Sequence, residues 1–307
     1  MLKLTASLIA VSFAAVFAAA PASAVTAFPA SFKIEDINTN GTTLHVRVGG
    51  HGPAVVLLHG FGDTGDMWEP LAKELASDHT VIVPDLRGMG LSSHPEGGYD
   101  KTTEGQDIAS LLDALKVDKV DVVGHDIGNM VAYAFTTQYP QRVSHLVLMD
   151  APLPGIGAWN QFLLSPDVWH FNFRGPDVER LVAGRERIYL DRFYNEMSYD
   201  PAKIDEQTRQ HYADLYAQPG AIHSAFNQFA AFSQDAKDNQ ARFAKTGKLN
   251  IPVLAVGGEK SFGVGMQTYA EAAFTNVKGL VVPKAGHWIM EEQPEFIVPR
   301  IKSFLAQ

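Results

Sequence analysis

A carboxylate stands where a catalytic nucleophile is expected in the segment Gly124-His125-Asp126-Ile127-Gly128. A central residue flanked on both sides by a glycine two positions away is typical of a sharp turn between a strand and a helix, where larger residues would clash. The apolar run 120–123 precedes this segment, and a helical pattern over 129–139 follows it. We therefore predict that Asp126 is a nucleophile; the alternative is an ordinary turn aspartate.

An ester formed on such a carboxylate must be cleaved by water, and this step requires a base. His287 follows the last predicted strand and is the expected base, against the alternative of a buried structural histidine. Asp150 and Glu259 each follow an apolar run, and either could orient the histidine or be a plain loop charge. We favour Asp150 and keep Glu259 as the alternative.

The glycine-rich turn His59-Gly60-Phe61-Gly62 directly follows the apolar run 54–58. The backbone N–H groups of Phe61 and Ile127 can be aimed at an oxygen that becomes negative during the reaction. A tight turn selected only for its backbone shape is the alternative interpretation. His59 and His125 flank turns that act through backbone groups, so we expect both to be structural, with His59 also bordering the substrate pocket.

The elements that must position these residues are short apolar runs separated by helical patterns such as 103–115. Several runs are uninterrupted, as expected for strands that are covered on both faces. An α/β fold with a doubly wound, mostly parallel sheet is predicted. The predicted strands are 44–48, 54–58, 80–83, 120–123, 145–149, 252–256 and 279–282.

Strand patterns stop between residues 154 and 239, where helical spacing and large aromatic side chains take over. We predict that 154–239 is a helical cap inserted into an α/β core formed by 25–153 and 240–307. Such an insertion would cover the carboxyl ends of the strands, where open α/β sheets bind ligands.

The 307-residue chain has a formal net charge of -9 and no cysteine. This charge provides no basic surface for phosphates and argues against a nucleic-acid partner. The 11 histidines are scattered and no H-E-x-x-H motif occurs, so neither a metal nor an organic cofactor is expected.

Residues 1–24 have the pattern of a cleaved signal peptide: one early lysine, an apolar stretch, and an Ala-x-Ala site at the end. The apolar stretch is too short to span a bilayer. We expect an exported protein, periplasmic or secreted, with no stable membrane insertion. A buried N-terminal helix is the alternative.

Together, the 59–62 turn, Asp126, Asp150 and His287 resemble the epoxide hydrolase and dehalogenase branch of the α/β-hydrolase superfamily. The resemblance runs from about residue 32 to the C-terminus. The cap stretches 168–171 and 183–187 are similar to the Cif-like group of secreted bacterial epoxide hydrolases. In that group the orienting acid follows the same strand as Asp150, although it is a glutamate there.

The resemblance also separates the possible substrates. Haloalkane dehalogenases hold the halide with a tryptophan after the nucleophile, and haloacetate dehalogenases grip a carboxylate with arginines at the positions of Ile127 and Met130. These apolar residues favour an epoxide. The Cif-like enzymes pair a cap histidine, matched here by His170 beside Trp169, with a cap tyrosine.

Phe229 stands at the position of that tyrosine and cannot donate a hydrogen bond. Either His170 acts alone, or Tyr216, His223 or Gln228 substitutes, or the reaction is different. Trp169 and Phe229 are expected to line the substrate pocket.

The predicted activity is the hydrolysis of a small, largely apolar epoxide to a vicinal diol through an aspartyl ester. The alternatives are a dehalogenase with the same nucleophile and a catalytically silent secreted binding protein. A homodimer is left open.

Overall fold

The structure, a computed structural model, describes residues 25–307, so the predicted signal peptide at 1–24 lies outside the described residues. In the described part of the chain, one sheet of eight strands forms the centre of the fold. Its strands are β1 Lys33–Asn38, β2 Thr43–Gly50, β3 Ala54–Leu58, β4 Thr80–Pro84, β5 Val120–His125, β6 Val143–Met149, β7 Leu249–Gly258 and β8 Phe274–Val282.

The α-helices surround this sheet. They are α1 Glu69–Leu75, α2 Lys101–Ala114, α3 Ile127–Gln138, α4 Trp159–Phe162, α5 Pro176–Val182, α6 Glu186–Met197, α7 Glu206–Tyr216, α8 Ala221–Ala230, α9 Phe232–Thr246, α10 Gly265–Glu271, α11 Ile289–Glu292 and α12 Pro294–Leu305. Short 3₁₀ helices lie at Gly65–Trp68, Pro140–Arg142, Pro166–Phe171 and Pro201–Lys203. None of the helices within residues 25–307 combines the length and the apolar character needed to cross a bilayer.

The sheet has the strand order β1-β2-β4-β3-β5-β6-β7-β8. All pairs from β4 to β8 are parallel, and only β1 with β2 and β2 with β4 are antiparallel. This confirms the predicted α/β fold with a mostly parallel sheet. Its two faces are covered by separate apolar clusters, which explains why Val55 to Leu58 form an uninterrupted buried run.

The edge strand β1 was not predicted from the sequence. Its residues Lys-Ile-Glu-Asp-Ile-Asn are exposed or half-buried throughout. A strand that buries neither face has no apolar pattern, and only its pairing with β2 makes it a strand.

Helices α4 to α9 follow β6 and precede β7. The sequence suggests one continuous helical pattern from Asp177 to Phe193, but α5 ends at Val182 and α6 begins at Glu186. Gly184 lies between them with φ +75°. This left-handed conformation is accessible to glycine and ends the first helix.

A buried polar contact ties these helices to the core. The Lys101 ammonium at the start of α2 donates to Oε1 of Gln228 in α8 at 2.7 Å, and the Lys101 backbone N–H donates to Asp235 in α9 at 2.7 Å. Lys101 is 1% exposed. The ammonium also lies 3.8 Å from Oδ2 of Asp235. Buried charges require partners of this kind, so these contacts fix α8 and α9 on the core.

Candidate active site

Asp126 lies at the turn between β5 and α3 with φ +52° and ψ -118°. This conformation is costly for a residue with a side chain and persists where the surrounding structure enforces it. The glycines nearby leave the necessary room: a Cβ on Gly60 would lie 2.4 Å from Cβ of Asp126, and one on Gly128 would lie 2.1 Å from the carbonyl oxygen of Leu58. The turn thus projects the carboxylate from the end of the sheet.

His287 lies between two carboxylates. Its Nδ1 is 2.8 Å from Oδ2 of Asp150, and its Nε2 is 3.6 Å from Oδ2 of Asp126. The Asp150 side chain is fully buried, and its other oxygen accepts the backbone N–H of Gly258 at 2.9 Å. Because the Nδ1–H of His287 donates a hydrogen bond to Asp150, the imidazole is oriented with Nε2 toward Asp126.

The two carboxylates also set the charge of the imidazole. Burial opposes a positive charge on His287, but the hydrogen bond with Asp150 and the charge of Asp126 outweigh it and raise the pKa of His287 to about 9. The histidine is therefore protonated at neutral pH as long as Asp126 is ionised.

Glu259, the other candidate acid, is exposed and lies at the end of β7. Its Oε2 accepts the backbone N–H of Lys284 at 2.7 Å. The structure therefore brings Asp150 to His287 and leaves Glu259 in a loop contact.

One of the two predicted oxyanion donors contacts the nucleophile. The backbone N–H of Phe61 donates to Oδ1 of Asp126 at 2.9 Å. Ile127 is the first residue of α3, so its N–H has no acceptor within the helix. Oδ1 is thus held by a backbone donor, while Oδ2 is the oxygen beside His287.

A cavity of about 380 Å³ opens over Asp126. Its wall is largely aromatic, and it includes residues from the core and from the helices after β6. The lining residues are Phe61, Asp126, Met130, Asp150, Ala151, Pro152, Phe162, Asp167, Val168, His170, Phe171, Phe193, Glu196, Met197, Phe229, Lys260, Ser261, Phe262, His287 and Trp288.

His170 lines this cavity and is only 7% exposed. Its ring packs edge-on against Phe171, Phe193 and Phe229, with ring centroids 4.7, 5.0 and 5.2 Å away. Burial lowers the pKa of His170 to about 4, so the ring is neutral at neutral pH. Nδ1 has no hydrogen-bond partner among the described residues.

The three candidate substitutes for a cap tyrosine are engaged elsewhere. The Tyr216 hydroxyl accepts the Gly62 N–H at 2.8 Å, and Gln228 is held by Lys101. His223 is exposed and lies 2.9 Å from Glu179. None of these three side chains lines the cavity, whereas Phe229 does.

Two expected pocket residues lie behind the cavity wall instead. His59 is fully buried; its Nδ1 donates to the Gly60 carbonyl at 2.9 Å and its Nε2 accepts the Leu86 N–H at 2.9 Å. Trp169 stacks on Phe193 and carries the Arg192 guanidinium on its face. The prediction that His59 and Trp169 border the pocket is therefore corrected: His59 is held by the Gly60 and Leu86 backbones, and Trp169 packs behind Phe193, which lines the cavity.

Asp63 was missed by the sequence reasoning. This fully buried carboxylate is 3.5 Å from Nδ1 of His125 and 3.4 Å from Nδ1 of His59. Its position immediately after the 59–62 turn was the available signal. No group of three or more potential metal ligands is clustered within residues 25–307.

Comparison with known proteins identifies the family of this chain. The family model for the alpha/beta hydrolase fold matches residues 53–294. The soluble epoxide hydrolase of Corynebacterium sp. (strain C12) is 34% identical over 275 residues, which cover 87% of this chain and 95% of that protein.

Solved structures show the same relationship. The epoxide hydrolase CorEH without ligand has a TM-score of 0.83 and 32% identity, covering 90% of this chain and 99% of that one. The Cif epoxide hydrolase from Acinetobacter nosocomialis shares the fold with a TM-score of 0.83 at 24% identity, covering 91% of this chain and 90% of that chain. The chain belongs to the α/β-hydrolase fold family, in its epoxide hydrolase branch.

Proposed function

We propose that this enzyme hydrolyses a small, largely apolar epoxide to a vicinal diol through a covalent ester on Asp126. The observation that supports this most directly is the environment of the Asp126 carboxylate. One oxygen accepts the Phe61 N–H at 2.9 Å, the other lies 3.6 Å from His287, and both groups line an aromatic cavity. The relatives named epoxide hydrolase support epoxide hydrolysis in general.

In the first step, Oδ2 of Asp126 attacks a ring carbon of the epoxide. A carbon–oxygen bond to the carboxylate forms, the ring C–O bond breaks, and its electron pair goes to the ring oxygen. His170, in the cavity wall, donates an N–H hydrogen bond to that oxygen.

The proton for the new hydroxyl comes from His287. His170 is neutral and offers only a hydrogen bond, whereas His287 is protonated in the free enzyme. When Asp126 becomes an uncharged ester, one of the charges that hold this proton disappears. Once the ring has opened, transfer of the proton to the alkoxide through water leaves His287 as a neutral base.

In the second step, His287 takes a proton from water, and the hydroxide attacks Cγ of the ester. Oδ1 of Asp126 becomes negative while it accepts the Phe61 N–H, and the Ile127 N–H is the second donor. Collapse of this intermediate breaks the Cγ–Oδ2 bond, and Oδ2 departs in the diol with the proton of the added hydroxyl, which restores the carboxylate and leaves His287 protonated. The net reaction is the addition of water to the epoxide, which gives the diol.

The experiment is mass spectrometry of His287→Gln incubated with a panel of epoxides and haloalkanes. We expect an adduct of intact epoxide mass on the peptide that carries Asp126, because the ester forms but is not hydrolysed. Asp126→Ser is the control and should show no adduct. A panel without any adduct, or adducts formed only with loss of halide, would refute the proposal.

We also propose that the protein is exported after removal of residues 1–24. The support is the sequence pattern at that end of the chain. N-terminal sequencing of protein secreted by the native cells tests it, and recovery of a chain that still begins with Met1 would contradict it.

A further inference from the structure

We infer that this site is selective for epoxides that carry an electron-withdrawing substituent, because a single neutral N–H group faces the oxygen that becomes negative. This inference rests on the proposed function and adds a substrate class to it. Phe229 is the residue that we assign as the determinant of this selectivity.

Free hydrogen-bond donors are scarce around the cavity. Asp126, Asp150, Asp167 and Glu196 present carboxylates, which accept hydrogen bonds. The indole N–H of Trp288 is already directed at the Phe193 carbonyl at 3.4 Å.

Two further polar residues lie at the open end. The Lys260 ammonium donates to the Ser198 carbonyl at 2.8 Å, and both Lys260 and Ser261 are exposed. His287 lies between Asp126 and Asp150. Among the described lining residues, His170 is therefore the side chain left to contact the ring oxygen.

Burial lowers the pKa of His170 to about 4, so the ring approaches the oxygen as a neutral imidazole. Hydrogen bonds from charged donors are roughly twice as strong as those between neutral groups. A single neutral donor thus leaves much of the developing charge to be stabilised by the substrate itself.

Aromatic rings surround His170. Phe229 packs on His170 with ring centroids 5.2 Å apart and on Phe61 at 4.9 Å. It therefore bridges the ring-opening donor and the residue whose N–H holds the nucleophile. A hydroxyl on this ring would be a second donor beside the oxygen, and phenylalanine supplies none.

The consequence follows from leaving-group chemistry. When the enzyme supplies little stabilisation, the rate of ring opening depends steeply on how well the substituent stabilises the alkoxide. Epoxides with a halomethyl or alkoxymethyl group should react well, whereas simple alkyl epoxides of the same size should react poorly.

Epichlorohydrin and 1,2-epoxybutane test this directly, because a chlorine and a methyl group have similar sizes and different electronic effects. Both substrates are mixed in one vessel, and their relative rates of loss give the ratio of the two kcat/KM values. This ratio does not depend on the fraction of folded enzyme. The reactions of the two epoxides with acetate in water, without enzyme, provide the reference ratio. In bulk water, the ring oxygen can accept hydrogen bonds from as many water molecules as it needs.

We expect the enzyme's preference for epichlorohydrin to exceed that of acetate by roughly tenfold. Phe229→Tyr should bring the preference back toward the reference by accelerating 1,2-epoxybutane more than epichlorohydrin. An enzyme ratio at or below the reference, or equal acceleration of both substrates by Phe229→Tyr, would overturn the inference. If the variant does not fold, the wild-type ratio alone decides.

Product analysis separates this failure from failure of the proposed function. Ring opening of epichlorohydrin gives a chlorinated diol, whereas halide displacement gives glycidol and free chloride. Turnover of both epoxides to diols, with a ratio of rates at or below the acetate reference, would overturn only the inferred selectivity. Glycidol as the product, or no turnover of either substrate, would overturn the proposed function and this inference with it.

Discussion

The rings of His125 and His287 lie 4.6 Å apart, and Nε2 of His125 donates to the backbone carbonyl of His287 at 2.9 Å. The residue before the nucleophile therefore supports the loop that carries the base. On its other side, Nδ1 of His125 is 3.5 Å from the buried Asp63. Burial opposes a charge on His125, but Asp63 outweighs it and raises the pKa of His125.

Asp63→Asn should therefore destabilise the protein most at acid pH. A histidine whose pKa is raised on folding contributes stability that is present below its unfolded value, about 6.5, and is lost as pH rises through the folded value. Without Asp63, the buried imidazole loses this contribution. The difference in Tm between wild type and variant should be larger at pH 5.5 than at pH 8.5. An equal or opposite difference would show that Asp63 does not stabilise the protonated ring.

Asp150→Asn should lower kcat by roughly a thousandfold or more, because an amide no longer fixes the proton on Nδ1 of His287. The effect should fall on hydrolysis of the ester, so the adduct on Asp126 should accumulate in the variant. Glu259→Gln is the matched control, since Glu259 contacts the Lys284 backbone instead of His287. Its kcat should stay within about twofold of wild type. The reverse pattern would make Glu259 the orienting acid.

Glu104→Gln should make stability less dependent on pH. Glu104 is buried 3.5 Å from the Lys101 ammonium, and burial raises the pKa of its carboxyl to about 8 despite that neighbour. Between its unfolded value, about 4.5, and 8, the folded chain holds a proton that the unfolded chain has lost. Stability should therefore fall over this window in the wild type, by a few kcal/mol in order of magnitude.

The measurement for this prediction is the free energy of unfolding by denaturant at several pH values from about 5 to about 9. Glu96→Gln, which alters an exposed carboxylate, is the control and should follow the wild type. A wild-type curve parallel to that of Glu104→Gln would mean that Glu104 is ionised throughout.

Gly60→Ala should lower kcat/KM by roughly a hundredfold, because small displacements of reacting groups have effects of this size. The new Cβ would lie 2.4 Å from Cβ of Asp126 and 2.8 Å from Oδ1, so the nucleophile must shift. Gly97→Ala is the matched control, since nothing lies within 4 Å of its Cβ position. Equal activity of the two variants would contradict a tightly held carboxylate.

Much of the architecture could be predicted because buried parallel strands leave uninterrupted apolar runs, and seven of these runs coincide with strands β2 to β8. The exposed edge strand β1 left no such run. The local geometry around Asp126 could likewise be predicted, because Gly124 and Gly128 indicate a turn too tight for side chains.

The identity of the orienting acid could not be predicted from local sequence in this way. Asp150 follows β6 and Glu259 follows β7, and these strands are parallel neighbours. Both carboxylates therefore emerge at the same edge of the sheet, so their positions after the strands do not separate them, and the sequence favoured Asp150 without excluding Glu259. The choice depends on side-chain direction, which places Asp150 at 2.8 Å from His287.

The sequence by itself determined the strand–turn–helix around Asp126 and the chemical types of the groups that accompany it, because these depend on neighbouring residues. Only the tertiary structure decided that His59 and Trp169 lie behind the cavity wall and that Tyr216, His223 and Gln228 are engaged elsewhere. The physical reason is that a donor's availability depends on partners far away in the chain. Tyr216, for example, is held by Gly62, 154 residues earlier.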